Sequence, residues 1–148
     1  MNPTRIAFYG TLRAGAGMAR AWFGLQSALH TDAKINGFEL RTEGPFPYAL
    51  STGDSFDTGN QITVDVAEFS PEKFDYILPL LDQYEGFPRL YDRIVVDAFL
   101  APNDVMQTAV KTWLYVPSGH MRPKVAGMAR IPTGDWFDFA PRRTVMAR

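Results

Sequence analysis

The chain contains no cysteine among its 148 residues, and this absence excludes several kinds of chemistry at once. Without thiols there is no disulfide bond, no thiolate nucleophile and no cysteine-ligated zinc site. Histidine is scarce too, because His30 and His120 are the two in the sequence. Neither histidine has carboxylates at a spacing typical of metal ligands, so we expect no metal centre.

Long apolar runs and an excess of one charge are also missing. No window approaches the roughly 18 apolar residues of a membrane span, and the N-terminus lacks the apolar run of a signal peptide. The 16 acidic and 15 basic residues are interspersed and give a formal net charge of -1, which does not attract a polyanion at long range. We expect a cytoplasmic protein that binds neither nucleic acid nor membrane.

Familiar nucleotide-binding and hydrolase motifs are missing as well. Residues 15–17, Gly-Ala-Gly, begin a dinucleotide-like pattern, but Arg20 stands where glycine or alanine is required. There is no Walker phosphate loop and no G-x-S-x-G elbow. The sequence Ser-Gly-His at 118–120 predicts a turn, since adjacency in the chain does not orient a nucleophile against a base.

What the chain does contain is an ordinary globular composition that is rich in aromatic residues. Its hydrophobic fraction is 46%, its charged fraction 21% and its aromatic fraction 14%. The length is that of one domain, and the aromatic share favours a β-containing core. We therefore expect a single domain over residues 1–148.

The opening of the chain predicts a short strand followed by a tight turn. Residues 5–13, RIAFYGTLR, begin with β-forming side chains and then meet Gly10, which can adopt backbone angles that other residues avoid. A turn at a strand end exposes backbone amides that can receive a carboxylate or a developing oxyanion. A plain connection is the alternative interpretation.

Apolar spacing predicts the remaining elements. Strands are expected over residues 34–41 with Gly37 as a bulge or close approach, over 62–69 as a half-buried strand, and over 93–100 and 108–116 as an antiparallel pair. Elsewhere the spacing predicts a short or broken helix over residues 14–29, an irregular proline loop over 43–48, and a C-terminal tail that wraps the domain.

Residues 70–86 predict a helix with well-marked ends. Ser70 is the expected N-cap, Pro71 the first helical residue and Gly86 the stop. Pro79 would cost about 3 kcal/mol inside a continuous helix, so a kink or two short helices are expected. The side chains that should face the core are Phe74, Ile77, Leu78 and Leu81.

Glu85 lies in the last turn of this predicted helix, near the negative end of the helix dipole. That position disfavours the ionised carboxylate and, if water is also excluded, produces an acid basic enough to accept a proton from an amine. Alternatively, Glu85 is solvated or paired with Arg89 or Arg93. Asp82, three residues earlier, either shares the helix face with Glu85 and forms a carboxylate pair with it, or bonds nearby backbone or faces water.

Other polar residues have two interpretations each. Tyr91 and Tyr115 either carry hydroxyls into a pocket or pack in the core. Arg13 and Arg41 either hold a substrate carboxylate with the planar guanidinium or only add solubility.

Four motifs taken together resemble the γ-glutamylcyclotransferase-like family. They are FYGTLR at 8–13, GPFPYAL at 44–50, LLDQYEGFPRLYDR at 80–93 and GDW at 134–136, in matching order and spacing over most of the chain. The YGTLR form is most similar to the γ-glutamylamine and uncharacterised bacterial branches.

The resemblance implies an α+β fold, a small mixed β-barrel with flanking short helices and a pocket at one end. It also implies roles for seven residues. Glu85 matches the family's acid/base, Tyr9, Gly10, Thr11 and Leu12 match the substrate-binding turn, and Tyr91 and Tyr115 match two later tyrosines.

The implied reaction is intramolecular aminolysis of a small γ-glutamyl amide, which releases 5-oxoproline and an amine or amino acid. Because the nucleophile is tethered to the substrate, we expect no cofactor. Two alternatives stay open: a non-catalytic binding protein for γ-glutamyl or amino-acid-like ligands, and an interaction module that is solidly packed around Glu85.

Overall fold

A computed structural model describes residues 2–14, 25–54, 56–100 and 108–140, and within them it shows an α+β fold built on a closed five-stranded barrel. Neighbouring barrel strands are antiparallel except for one parallel pair, the first strand with the last. In order around the barrel the strands are β1 (Arg5–Phe8), β5 (Gln61–Glu68), β2 (Ala28–Asn36), β6 (Tyr91–Leu100) and β7 (Thr108–Pro117). The predicted fold class is confirmed.

A second, three-stranded antiparallel sheet and three helices complete the described structure. The sheet has the order β4 (Pro47–Ser51), β3 (Phe38–Thr42), β8 (Ala129–Ile131). The helices are α1 (Pro71–Glu85), α2 (Arg122–Ala126) and α3 (Trp136–Phe139). None of them is long and apolar enough to cross a membrane.

The strands predicted over residues 62–69, 93–100 and 108–116 are confirmed as β5, β6 and β7. The last two form an antiparallel hairpin with residues 91–100 paired to 108–117 in one register. The expected half-burial of β5 is wrong, because residues 62–67 are all buried. One face of this strand, with Ile62, Val64 and Val66, fills the barrel, and the other face buries the polar side chains of Thr63 and Asp65, so both faces are covered.

The single strand predicted over residues 34–41 is wrong. The chain forms two strands there, because Gly37 has a φ of 81° and directs it out of the barrel into the second sheet. The Gly37 N–H donates to the carbonyl of Asn60 at 2.8 Å, and this hydrogen bond belongs to neither sheet. Ala28 and Leu29 also begin β2 rather than ending a helix, and residues 15–24 of that predicted helix lie outside the described residues.

Two proline-rich regions are more regular than predicted. Pro47 and Tyr48 begin β4, since proline is tolerated at the first residue of an edge strand, whereas residues 43–46 are irregular as expected. The C-terminal region is not a plain tail, because β8 joins the second sheet and Trp136 of α3 is 3% exposed in the core. Residues 141–148 lie outside the described residues.

Helix α1 has the predicted ends. The Ser70 hydroxyl accepts the N–H of Lys73 at 3.4 Å, and Gly86 adopts a left-handed conformation with a φ of 79°. The N–H groups of Gly86 and Phe87 donate to the Asp82 carbonyl at 3.0 and 2.9 Å, which completes a C-terminal cap. The expectation of two helices is wrong, since one helix runs through the exposed Pro79.

The core consists of two apolar clusters, and the second one positions the site. The first fills the barrel and reaches the second sheet. The second packs Phe74, Ile77 and Leu81 of α1 against β1, and as predicted these side chains are buried. The C-terminal end of α1 also comes close to the turn after β1, because Glu85 and the turn residues line one cavity.

Candidate active site

A cavity of about 250 Å³ lies between the turn after β1, the last turn of α1 and the start of β4. The seven site residues expected from the sequence all line this one cavity. They are Tyr9, Gly10, Thr11, Leu12, Glu85, Tyr91 and Tyr115. The interpretation of a module solidly packed around Glu85 is therefore wrong.

The turn after β1 lines the cavity with Gly10, Thr11 and Leu12. It is held by the N–H of Arg13, which donates to the Gly10 carbonyl at 3.0 Å. Within the described ranges, the N–H groups of Gly10, Thr11 and Leu12 donate to no other protein group. Backbone N–H groups of a turn beside a cavity are of the kind that can bind an anionic group.

The reason for glycine at position 10 differs from the one expected. Gly10 has no positive φ, so it does not use the freedom that only glycine has. Instead, a Cβ atom at this position would lie 2.8 Å from both Cγ and Cδ of Pro47. The close approach of β4 to the turn therefore requires a residue without a side chain.

Arg13 lies beneath the turn and is occupied by the protein. Its guanidinium is fully buried, with Nη2 2.8 Å from Asp32, Nη1 2.8 Å from Asp135 and Nε 3.4 Å from Asp65. The Phe137 ring lies 4.2 Å from the Arg13 Cζ atom. The interpretation of Arg13 as a ligand for a substrate carboxylate is wrong.

Arg41 is also engaged away from the cavity. Its Nε donates to Glu39 at 2.6 Å, and Nη1 donates to the carbonyl of Met128 at 2.9 Å. These contacts join β3 to the segment before β8. Arg41 is therefore neither a ligand for a substrate carboxylate nor a free charge that only adds solubility.

Glu85 ends α1 and points its partly buried carboxyl into the cavity. Burial raises the pKa of this carboxyl from 4.5 to about 7. In the part of the chain that the structure describes, no side chain or backbone group forms a hydrogen bond or ion pair with it. The alternative of an Arg-paired Glu85 is wrong for Arg93, whose guanidinium is bound elsewhere.

That guanidinium binds Asp82. Arg93 donates to the Asp82 carboxylate from Nε at 2.8 Å and from Nη2 at 3.0 Å, and the hydroxyl of Tyr115 donates to it at 2.7 Å. The Arg93 Cζ atom lies 4.6 and 4.9 Å from the ring centres of Phe87 and Trp113. The interpretations of Asp82 as bonded to nearby backbone or facing water are wrong, because its carboxylate ties the end of α1 to β6 and β7.

The three predicted tyrosines line the cavity. The Tyr9 hydroxyl donates to the Tyr115 carbonyl at 2.8 Å, and the Tyr115 hydroxyl is bound to Asp82. The ring of Tyr91 stacks on that of Tyr48 with ring centres 5.6 Å apart. Burial raises the pKa of Tyr9, Tyr91 and Tyr115, so all three stay neutral. Their rings therefore shape the cavity.

Sequence reasoning missed several lining residues. A signal existed for three of them in the motif GPFPYAL, whose prolines restrict the backbone beside two aromatic rings. The missed residues are Ala7, Phe8, Phe46, Pro47, Tyr48, Tyr84, Leu90 and Met121. Among the described residues, no group of three or more His, Cys, Asp or Glu side chains is arranged to hold a metal ion.

Comparison with solved structures shows the same fold in distant relatives. An AIG2-like protein from Mus musculus has a TM-score of 0.64 at 17% identity, with 89% of this chain and 88% of that chain covered. YkqA from Bacillus subtilis has a TM-score of 0.61 at 20% identity, with 93% and 40% covered. A glutathione-specific γ-glutamyl cyclotransferase from yeast has a TM-score of 0.57 at 14% identity, with 94% and 84% covered.

Sequence comparison identifies the family. A search of curated proteins gave no significant match. The family model described as γ-glutamyl cyclotransferase, AIG2-like, matches residues 6–138, which is most of the chain. The protein therefore belongs to the γ-glutamyl cyclotransferase, AIG2-like family.

Proposed function

We propose that the protein is a γ-glutamyl cyclotransferase that converts a small γ-glutamyl amide into 5-oxoproline and an amine. Family membership and fold point to this class of activity. The observation that carries the proposal is the meeting of Glu85 and the Gly10–Leu12 amides in one cavity. An acid and a set of anion-binding donors are the two components that this reaction needs.

In the proposed reaction the substrate supplies its own nucleophile. The α-amine attacks the γ-carbonyl carbon, a five-membered ring closes, and the bond from that carbon to the leaving nitrogen breaks. Because the nucleophile is tethered, the protein folds the substrate into the attacking shape and moves protons. No step of this chemistry requires a cofactor.

Glu85 is the proposed general base and then the general acid. A carboxyl with a pKa of about 7 is ionised in a large fraction of molecules at neutral pH, and it is still acidic enough to return a proton. It takes protons from the attacking nitrogen and passes them to the departing nitrogen. The amides of Gly10, Thr11 and Leu12 hold the anionic oxygens of the substrate.

The test is 5-oxoproline release from a panel of γ-glutamyl amides by wild type and by Glu85→Gln. We expect the variant to lose about 10²- to 10⁴-fold in kcat, because general acid–base catalysis contributes that much. Glu72→Gln makes the same change at the exposed first turn of α1 and should retain wild-type rates.

Two results would contradict the proposal. Wild-type turnover by Glu85→Gln would remove Glu85 from the chemistry. Calorimetric binding of γ-glutamyl compounds by the wild type without release of 5-oxoproline would identify a binding protein instead.

A further inference from the structure

Three of the large side chains that line the cavity are also exposed to solvent and mark its opening. Phe46 is 44% exposed, Tyr84 46% and Leu90 42%, and all three line the cavity together with Glu85. They come from three separate places: the loop before β4, the last turn of α1 and the segment that leads into β6. Large apolar side chains that converge around a cavity mark a surface that binds an apolar group.

Aromatic rings continue from this opening to the interior. Phe46 contacts Tyr48 edge to face with ring centres 5.5 Å apart, and Tyr48 stacks on Tyr91 at 5.6 Å with an interplanar angle of 12°. Tyr91 is 8% exposed, so the series leads from solvent to the floor of the cavity. A flat or apolar substituent can pack along it.

The charge of the described lining disfavours a second carboxylate on the substrate. Among the described residues that line the cavity, Glu85 is the one that is charged, and none is Lys, Arg or His. Arg13 and Arg93 each pair with carboxylates. Arg89 precedes Leu90 and Arg122 follows Met121, but neither arginine lines the cavity. A carboxylate here would lie unpaired beside Glu85, which is unfavourable.

From these observations we propose that the leaving group is an amine that carries an apolar or aromatic substituent and no carboxylate. The inference rests on the proposed function and names its substrate class. The glutamyl part occupies the turn amides and Glu85, and the substituent packs on Phe46, Tyr84 and Leu90 at the opening.

The proton balance of the reaction fits this arrangement. As the ring closes, the α-nitrogen changes from an ammonium to a ring amide and loses two protons. The departing nitrogen gains two and leaves as an ammonium, while the electrons of the broken carbon–nitrogen bond stay with it. Its positive charge is formed beside Glu85, and it departs past the apolar opening.

Three matched substrates test the proposal. γ-Glutamylphenethylamide and γ-glutamylphenylalanine differ by one carboxylate, and γ-glutamylmethylamide lacks the ring. We expect kcat/KM for the phenethylamide to exceed that for each of the others by at least about tenfold, as expected when a pocket loses an apolar contact or gains an unpaired charge.

The outcomes separate this inference from the proposed function. Equal or faster turnover of γ-glutamylphenylalanine, or of the methylamide, overturns the inference while release of 5-oxoproline still supports the function. Release from none of the three compounds overturns both.

A charge introduced at the opening gives an independent test. Leu90→Lys should raise the kcat/KM of γ-glutamylphenylalanine relative to the phenethylamide by about tenfold or more, because the new cation pairs with the carboxylate. Ile94→Lys adds the same charge on the outer face of β6, outside the cavity lining, and should leave the ratio unchanged. An unchanged ratio in Leu90→Lys overturns the inference.

Discussion

Glu85 combines chemical usefulness with a cost in stability at the scale of one residue. In the cavity it is surrounded by aromatic and apolar side chains, and burial alone raises the pKa of its carboxyl to about 7. A carboxyl whose pKa is higher in the folded protein than in the unfolded chain destabilises the folded state once it must ionise. The property that suits Glu85 to accept a proton therefore also weakens the fold.

This cost predicts a pH-dependent difference between wild type and Glu85→Gln. Between pH 4.5 and about 7 the unfolded chain ionises Glu85 before the folded protein does, so wild-type stability falls relative to the variant. We expect the variant to be more stable by about 1–3 kcal/mol at pH 8 and nearly equal to wild type at pH 4.5. Urea unfolding of both proteins at the two pH values measures the difference.

The control for this experiment is Glu72→Gln, which removes an exposed carboxylate of the same helix. Its stability relative to wild type should change little over the same pH range. The prediction fails if the stability difference between Glu85→Gln and wild type is the same at both pH values. In that case the Glu85 carboxylate would be as well solvated in the folded protein as in the unfolded chain.

Sequence reasoning reached Glu85 through its position at the end of a helix and through the resemblance, but it could not show burial. That property depends on Tyr91, Tyr48 and Pro47, which approach from distant parts of the chain. Arg13 illustrates the same limit. An arginine after a turn looks exposed in a sequence, and its burial follows from three carboxylates on other elements.

At the scale of elements, the site depends on the contact between the turn after β1 and the first residue of β4. The ring of Pro47 lies against Gly10, with no room for a Cβ atom between them. Because proline restricts its own backbone, the start of β4 is a rigid support for the turn. Small displacements of this support change the direction of the turn amides.

This contact predicts that Gly10→Ala is more harmful to activity than to folding. The added methyl group would lie 2.8 Å from Pro47, so either the turn or β4 must move. We expect kcat/KM to fall about 10- to 100-fold, and the free energy of unfolding by about 1–3 kcal/mol. Initial rates of 5-oxoproline release and urea unfolding measure the two effects.

Two further variants interpret that result. Gly127→Ala places a Cβ at 3.5 Å from its neighbour, an ordinary contact, and should have wild-type activity. Pro47→Ala combined with Gly10→Ala removes the ring that the methyl group meets and should recover part of the lost activity. Full activity in Gly10→Ala alone would mean that β4 does not support the turn.

Elements with strong local signals were predicted well, and elements made by distant pairing were not. Helix α1 carries its own caps, and β6 and β7 are adjacent in sequence, so both were predictable. By contrast, β8 has three residues and exists because it pairs with β3, to which no local pattern points. The division of residues 28–42 into two strands at Gly37 likewise depends on where two separate sheets begin.

At the scale of the whole molecule, Arg13 joins three distant parts of the chain. Asp32 lies at the irregularity in β2, Asp65 in the centre of β5, and Asp135 immediately before α3. The Asp65 carboxylate also accepts the N–H of Ala14 at 2.8 Å, directly after the site turn. This cluster connects the barrel, the C-terminal helix and the turn that lines the cavity.

The cluster predicts strong coupling between Arg13 and Asp65, both of which are fully buried. Arg13→Met leaves the Asp65 carboxylate without its cation and should lower the free energy of unfolding by about 3–5 kcal/mol. As a control, Arg5→Met removes a partly exposed ion pair with Glu68 and should lower it by less than about 1 kcal/mol. Asp65→Asn keeps an acceptor for the Ala14 N–H without the charge. In the Arg13→Met background it should therefore restore part of the lost stability, which a double-mutant cycle by urea unfolding measures directly. Additive losses would mean that the cluster is a set of separate contacts and not one coupled unit.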